Sequence, residues 1–343
     1  MYILGINFSH DSSICLLKDG EILFYLEEER LSHEKHCMYI DKVIDQILKY
    51  TPYVDVICYT CDTGNKKIPL LVHGDPDIET TVDKNKTRIN NIDGYNLISY
   101  GYNFKNDIHY SRLQKVMKQG HTVLQMRLNQ HHLTHAHHAF YNSGFEEAVC
   151  IVVDGMGSIT KENYGEVESI YQLSYPAVSK EIYKKYKKVD DANDIGIGWL
   201  YTNTAIELGF GVYESGKVMG MMSYYDKEYN TPLGIDADKF NTDVKSAYLA
   251  QSWTEHKVYE LIMKSIIQTG CKNVCLSGGY GMNCVANYSF IKQLPKDVKF
   301  YVEPISLDAG HSVGLAKWFW HELTGDTTIR PQTSLYLGSD PEY

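Results

Sequence analysis

The chain lacks any run of about 18 uncharged apolar residues, the length a membrane-crossing helix needs, so none is expected. Its opening, Met1–Ser13, has no basic start, and Ser9, His10 and Asp11 interrupt the apolar stretch, so it does not read as a secretory signal. The expected location is cytoplasmic, with no membrane contact. Positive charge is short: 33 Lys and Arg against 43 Asp and Glu give a net charge of −10, which disfavours broad nucleic-acid binding and leaves at most a local basic groove. No second CxxC accompanies Cys58 and Cys61, so a four-cysteine zinc site is not indicated, and the eight cysteines are expected to be reduced core residues. No Pro/Ser-rich linker or low-complexity tract divides the chain, which predicts one cooperative unit. The glutamate of HExxH, the P-loop and the GxGxxG fingerprint are all missing.

What is present suits a soluble globular protein: 43% hydrophobic and 22% charged residues over 343 positions, enough for about two lobes. Met1–Asn7 reads as a strand and Phe8–Ser13 as a polar loop. Ile14–Leu17 and Glu21–Leu26 then read as a hairpin about Lys18-Asp19-Gly20. The pattern recurs in Ala148–Val153 (strand), Asp154–Ser158 (acidic Gly-rich loop) and Glu168–Ser174 (returning strand). Two such copies predict two similar lobes whose loops face a shared cleft. Helices are expected over Asp41–Tyr50, Asn129–Tyr141, Gly198–Leu208, Ser252–Thr269, from about Gly281, and over Gly310–Leu323. Further strands are expected near Val54–Tyr59, Val274–Leu276 and Lys299–Glu303, and a long elaborated loop over roughly Thr63–Asn106.

The densest chemistry is His131-His132-Leu133-Thr134-His135-Ala136-His137-His138. His131 and His135 are four apart, on one face of a helix, where neutral imidazoles can share a metal ion. A plain cluster of exposed or hydrogen-bonded histidines is the alternative. Two histidines rarely suffice, and Asp154 and Asp308, each just after a strand, complete a set suited to Fe(II), Mn(II) or Zn(II). Either aspartate alone reads equally as a helix cap or loop residue. Ser277-Gly278-Gly279, between strand and helix and followed by Asn283, lets backbone approach an anion. The loop Ser9-His10-Asp11-Ser12-Ser13 offers donors for phosphate or is a capped turn. Lys217, between Gly216 and Gly220, is an anion contact or a surface lysine. The charged run Glu27–His36 is a solvated face or a grip for a small anion.

Taken in order, GINFSHDSS, EEERLSHEKH, HHLTHAHHAFYNSGF, VVDGMGS, ESGKVMG, LSGGYGMNCVAN and EPISLDAGHSVGLA resemble the landmarks of the NodU/CmcH-type carbamoyltransferases, across nearly all of residues 1–338. The resemblance implies an α/β fold of the actin/sugar-kinase ATPase type, with two duplicated lobes of mixed sheets around a central cleft, residues 1–140 and 141–338. It implies ATP and carbamoyl phosphate as substrates, a carbamoyl-adenylate, and transfer of the carbamoyl group to a hydroxyl of a small-molecule acceptor. The metal ligands would then correspond to His131, His135, Asp154 and Asp308, with an Fe(II)-type ion. Adenosine would lie on Gly278, Gly279 and Asn283, and the phosphate region on Ser9, Asp11, Ser12 and Ser13 and on Gly155, Gly157 and Ser158. Lys35 and His36 would stand at the carbamoyl or acceptor end.

A base for the acceptor hydroxyl is then needed, with His10, His36 or a cluster histidine as candidates. Family members usually continue into a YrdC-like domain that makes the adenylate, and residues 339–343 resemble the start of the linker to it. Such a partner, cut away or separate, is therefore expected. The competing readings are a tRNA threonylcarbamoyl transferase subunit, a nucleotide-binding regulatory scaffold without chemistry, and a sugar kinase.

Overall fold

A computed structural model of the chain describes residues 1–61, 88–92, 95–99, 110–160, 162–191, 195–226, 231–232 and 238–338. In chain order the strands are β1 Tyr2–Asn7, β2 Ser13–Lys18, β3 Glu21–Glu27, β4 Val56–Cys61, β5 Arg88–Ile92, β6 Tyr95–Ser99, β7 Val123–Leu128, β8 Glu147–Val153, β9 Tyr164–Ser174, β10 Val178–Lys188, β11 Tyr225–Asp226, β12 Thr231–Pro232, β13 Asn273–Ser277 and β14 Lys299–Val302. The helices are α1 Glu29–Ser32, α2 Val43–Gln46, α3 Tyr110–Leu113, α4 His131–Ser143, α5 Ile197–Glu207, α6 Ser215–Met221, α7 Asp238–Thr269, α8 Cys284–Gln293 and α9 His311–Thr324.

Two mixed sheets carry the same topology. The first runs β3-β2-β1-β4-β7-β6-β5 and the second β10-β9-β8-β13-β14. In each, an antiparallel meander (β1-β2-β3, β8-β9-β10) is extended by parallel strands (β4 and β7, β13 and β14). The duplicated lobes expected from the recurring strand–loop–strand pattern are therefore present as a repeated strand order.

Period-2 burial explains the layers. Leu4, Ile6, Ile14 and Leu16 turn to one side of the first sheet, against Val43, Ile44, Ile47 and Val116. Ile3, Cys15, Leu17, Val56 and Cys58 turn to the other, against Val313, Leu315, Ala316 and Phe319 of α9. In the second sheet Val149, Ile151 and Leu276 pack on Val258, Ile262 and Phe290 of α7 and α8. Ala148, Cys150 and Val152 pack on Ala136, Ala139 and Phe140 of α4. Helices α4 and α9 thus lie side by side between the sheets, α4 from the first half covering the second sheet and α9 from the second half covering the first. The boundary drawn at residue 140 falls inside α4.

Several expectations are corrected. The stretch read as a loop to Asn106 includes the strands β5 and β6, whose hairpin extends the first sheet through β7; residues 62–87, 93–94 and 100–106 lie outside the described residues, as do 339–343. The helix expected over Asp41–Tyr50 is one α-turn followed by a 3-10 turn at Ile47–Lys49. The helix expected from Ser252 starts at Asp238. Within the charged run, Glu28 is buried and its carboxylate accepts from the backbone N–H groups of Lys42 and Val43, so it caps α2. Arg30 pairs with Glu27 and Glu29. Cys15, Cys37, Cys58, Cys150, Cys271, Cys275 and Cys284 are free thiols, Cys58 in the core. Among the described residues no helix is long and apolar enough to cross a membrane.

Candidate metal and nucleotide cleft

The cleft forms where the parallel strands β1, β8 and β13 end, the position at which open α/β sheets gather ligands. Three loops leave there: residues 8–12, 154–158 and 278–283. The third turns at Gly278, whose φ of +87° favours glycine and where a Cβ would stand 2.4 Å from the Val153 carbonyl oxygen. This close approach lets the Gly279 N–H donate to Asp154 Oδ1 at 2.8 Å.

Helices α4 and α9 point their N-terminal turns into the same space. All of α4 except Leu133 and Ser143 is buried, although five of its first eight residues are histidines. Each imidazole has its own surroundings. His132 Nδ1 meets Ser169 Oγ at 2.8 Å, His137 stacks on Trp318 at 4.1 Å between centroids, and His138 Nε2 lies 3.4 Å from Glu303 Oε1. Burial drives the pKa of His132 down to about 4, and those of His137 and His138 well below the usual range, so these three are neutral core side chains.

His131 and His135 face the cleft. Their Nε2 atoms both lie 3.3 Å from Asp308 Oδ1, and His131 Nε2 lies 3.4 Å from Asp154 Oδ2. His311, which the sequence reading did not single out, joins them: ring nitrogens of His131, His135 and His311 and an oxygen of Asp308 all fall within 4.8 Å of one another, and all four residues are buried. The signal available was the three-residue spacing of Asp308 and His311 at a helix start. Two donors sharing an ion at about 2.1 Å stand about 3.4 Å apart at a tetrahedral angle, so the 3.3 Å spacings fit one small divalent cation.

The electrostatics agree. Burial works against charge on His131, but Asp308 and Asp154 override it and raise its pKa well above the usual value. Burial works against ionisation of Asp308, but His131 and His10 override it and hold its carboxyl well below the usual range. Burial, then the neighbouring His135 and His131, push His311 far down. The carboxylates thus draw positive charge into a buried space lined by imidazoles.

A chain of side chains leads outward from Asp308. Ser9 Oγ donates to its Oδ2 at 2.9 Å, and His10 Nε2 lies 3.4 Å from the same oxygen. His10 Nδ1 meets Asp11 Oδ2 at 2.8 Å, and Asp11 Oδ1 meets His36 Nδ1 at 2.7 Å. Asp11 and His36 both adopt φ near +60°, a conformation costing about 1–2 kcal/mol per non-glycine residue, so the pair is held against local strain. Burial opposes charge on His10, but Asp308 and Asp11 win and raise its pKa to about 9. Tyr213, exposed ahead of α6, stacks on His36 at 4.1 Å and ties the second lobe to the rim of the first.

The other expected residues do different things. Ser13 Oγ bonds the Ala309 carbonyl and Ser312 Oγ, locking β2 to α9, and Ser12 Oγ donates to the Ser9 carbonyl. Ser158 Oγ accepts from the His131 N–H at the start of α4. Gly157 donates its N–H to the Glu166 carbonyl, and a Cβ on Gly155 would stand 4.0 Å from the Trp199 ring of α5. Asn283 caps α8 by accepting from the Ala286 N–H and pairs with Gln251. Lys217 is exposed and bonds Glu214. The Gly211 N–H, then Lys217, then the exposed Lys35 hold the Glu214 carboxyl below its usual range.

Comparison with known proteins agrees with this layout. The nodulation protein NolNO of Sinorhizobium fredii is 23% identical over 97% of this chain and 49% of its own length. The nodulation protein NolO of Bradyrhizobium diazoefficiens is 26% identical over 61% of this chain and 41% of its own length. The chain spans about half the length of these curated relatives. Full-length HypF, solved in a phosphate- and nucleotide-bound form, superposes with a TM-score of 0.57 at 14% identity, covering 95% of this chain and 56% of that one, so the two share a fold. The family model described as the carbamoyltransferase N-terminus matches residues 2–232 and 234–317, which include every residue of the cleft, and the chain therefore belongs to the carbamoyltransferase family.

Proposed function

We propose that this chain is the transfer half of an ATP- and carbamoyl phosphate-dependent O-carbamoyltransferase, holding a carbamoyl-adenylate beside a divalent metal and passing the carbamoyl group to a hydroxyl of a small-molecule acceptor. The observation that carries this reading is the convergence of Ser9, His10, His131, His135, Asp154 and Asp308 within short distances at the foot of one cleft. The adenylate-forming step is assigned to a YrdC-like domain or subunit, in keeping with relatives about twice as long. Nucleic acid and membrane are not expected partners.

In the transfer, the acceptor oxygen attacks the carbonyl carbon of the carbamoyl-adenylate. A new C–O bond forms, the bond to the phosphate oxygen breaks, and AMP leaves with the electron pair. His131, His135 and Asp308, with Asp154 beside them, would hold Fe(II), Mn(II) or Zn(II). The ion, when bound, supplies positive charge beside the departing phosphate and offsets the carboxylates that raise His10. His10 is the best-placed acceptor of the hydroxyl proton: it stands 3.4 Å from Asp308, and Asp11, itself held by His36, orients its ring. The Gly278-Gly279 loop and Ser9 offer backbone and hydroxyl donors to the nucleotide. The exposed Lys35 and Lys217 meet the acceptor or the partner.

The test is mass spectrometry of candidate sugars and nucleosides incubated with the chain, ATP and carbamoyl phosphate, with and without an adenylate-forming domain. A carbamoylated acceptor is expected, and His10→Ala should slow its formation about 10²–10⁴-fold while nucleotide binding is kept. Tight ATP binding with no carbamoylated product from any acceptor or partner would replace this reading with that of a regulatory scaffold.

A further inference from the structure

We propose that Tyr213 forms one wall of the acceptor site, and that the acceptor it selects is a sugar, bound with the face of its ring on the tyrosine and one ring hydroxyl turned to His10. The inference names the substrate class of the transfer reading given above and rests on that reading.

Position is the first argument. Tyr213 belongs to the second half of the chain, between α5 and α6, yet its ring contacts two side chains of the first half. It stacks on His36 at 4.1 Å and 24°, and it lies 5.3 Å from His10 at a tilt of 50°, between centroids. These are the two ends of the His10–Asp11–His36 chain that orients the proton acceptor. His10 is tilted against the tyrosine rather than stacked on it, so a hydroxyl passing the edge of the tyrosine can reach the imidazole. Both histidine side chains stay partly exposed, at 38% for His10 and 35% for His36, so Tyr213 walls them without sealing them off.

Rigidity is the second. Val212 and Tyr213 occupy the corner of a four-residue turn, residues 211–214. The Glu214 N–H donates to the Gly211 carbonyl at 2.9 Å, and the Gly211 N–H donates to Glu214 Oε2 at 2.8 Å. Lys217 Nζ holds the other carboxylate oxygen. Across the cleft, the His36 N–H donates to Glu29 Oε2 at 3.3 Å and its ring is fixed by Asp11. A ring presented by a clamped turn has little freedom left to lose when a ligand settles on it.

The third is chemistry. Tyr213 is 56% exposed although His36 covers one face of its ring, so the open area is the other face and the edge. Burial, then the Asp11 and Asp308 carboxylates, push its hydroxyl pKa up, so the group stays neutral and feels both charges. An open aromatic face next to carboxylates that accept hydrogen bonds matches a saturated, polyhydroxylated ring: its C–H face is apolar and its rim is made of hydroxyl donors. The ring that stacks then carries the reacting hydroxyl itself. A nucleobase on the same face would hold its ribose hydroxyl one ring further away, which disfavours a nucleoside.

The experiment is saturation-transfer NMR on the chain, with AMP added to fill the nucleotide site and with the methyl glycosides of glucose, mannose, galactose and N-acetylglucosamine, and cytidine, as probes. The parent, Tyr213→Phe and Tyr213→Ala are compared. Transfer to the ring C–H protons of a glycoside is expected in the parent and in Tyr213→Phe. In Tyr213→Ala its dissociation constant should rise about tenfold, with AMP affinity equal in all three proteins. Glycoside binding that Tyr213→Ala leaves unchanged, a parent that binds none of the glycosides, or a Tyr213-dependent signal from cytidine in their place would each overturn the proposal. AMP binding that weakens in step with the glycoside would make Tyr213 a clasp between the lobes and overturn it as well. The transfer reading is tested separately by adding the adenylate-forming domain, ATP and carbamoyl phosphate, when the bound glycoside should gain a carbamoyl group by mass spectrometry. A glycoside held through Tyr213 and never carbamoylated would overturn the transfer reading while the sugar contact stands.

Discussion

At the scale of single residues, burial decides what each titratable group in the interior can be. The same helix carries His131, which faces the Asp154 and Asp308 carboxylates and is drawn toward charge, and His132 and His137, which face a hydroxyl and an aromatic ring and are held neutral by burial. Glu303, packed against His138, gives the most accessible test. It is 1% exposed, accepts from the Ile305 N–H, Asn142 Nδ2 and Tyr301 hydroxyl, and burial pushes its carboxyl up to about 7. An unfolded glutamate titrates near about 4.3. Between those values the folded chain keeps a proton that the unfolded chain has released, so this group's contribution to stability is greatest below about pH 4 and is lost as pH rises through 7. Urea unfolding from pH 5 to 8 should show the stability deficit of Glu303→Gln shrinking with rising pH, by on the order of 2–3 kcal/mol across the window. Parallel stability profiles for variant and parent would show that Glu303 is already ionised at pH 5.

At the scale of elements, the crossing of α4 and α9 sets the site. A Cβ on Gly314 would stand 2.8 Å from both the Thr134 carbonyl oxygen and the His138 Cβ, so the two helices touch backbone to backbone there. Gly314→Val should force them apart and cost about 1–3 kcal/mol, the range for overpacking a close contact. Because His131 and His135 ride on α4 while Asp308 and His311 sit at the head of α9, metal affinity should fall with it; thermal unfolding and metal titration read the two effects. Much of this was legible in the sequence. Apolar runs ending in Asn7, Val153 and Ser277, each followed by a polar or Gly-rich loop, marked the strand ends that form the cleft, and the four-residue spacing of His131 and His135 marked the helix face. Other elements were hidden for physical reasons. Strand β10 is a largely exposed edge whose lysines and glutamates carry no apolar alternation. In α7 the apolar period already runs ahead of Ser252, where Val244 and Ala247 are fully buried, but it is carried by small side chains among polar ones. His311 lies on a helix whose other residues read as core, and only the neighbouring helix reveals what its ring faces.

At the scale of the whole molecule, the lobes exchange helices, and no local pattern announces this because it is a property of packing alone. A first lobe cut from the chain after α4 would keep its seven-stranded sheet and lose α9, leaving Ile3, Leu17 and Val56 without cover. Val313, Leu315 and Phe319 are each at most 1% exposed in that layer. At about 1.5–3 kcal/mol for each such side chain, their loss amounts to about 5–9 kcal/mol, comparable with the entire stability of an ordinary domain, about 5–15 kcal/mol. The tail after α9 strengthens the dependence: the Gln332 N–H donates to the Asn142 carbonyl, Lys317 Nζ to the Asn142 side chain and the Arg330 carbonyl, and the Tyr25 N–H to the Leu337 carbonyl, closing the chain back onto β3. The fragment 1–143 should therefore fail to fold alone, with no dispersed amide spectrum by NMR, and should regain structure when refolded with 144–338. The intact chain should unfold in one transition seen equally by tyrosine fluorescence and far-ultraviolet dichroism. A fragment 1–143 that folds by itself would mean that α9 is a removable cover, and the cleft would then be open to one lobe moving without the other.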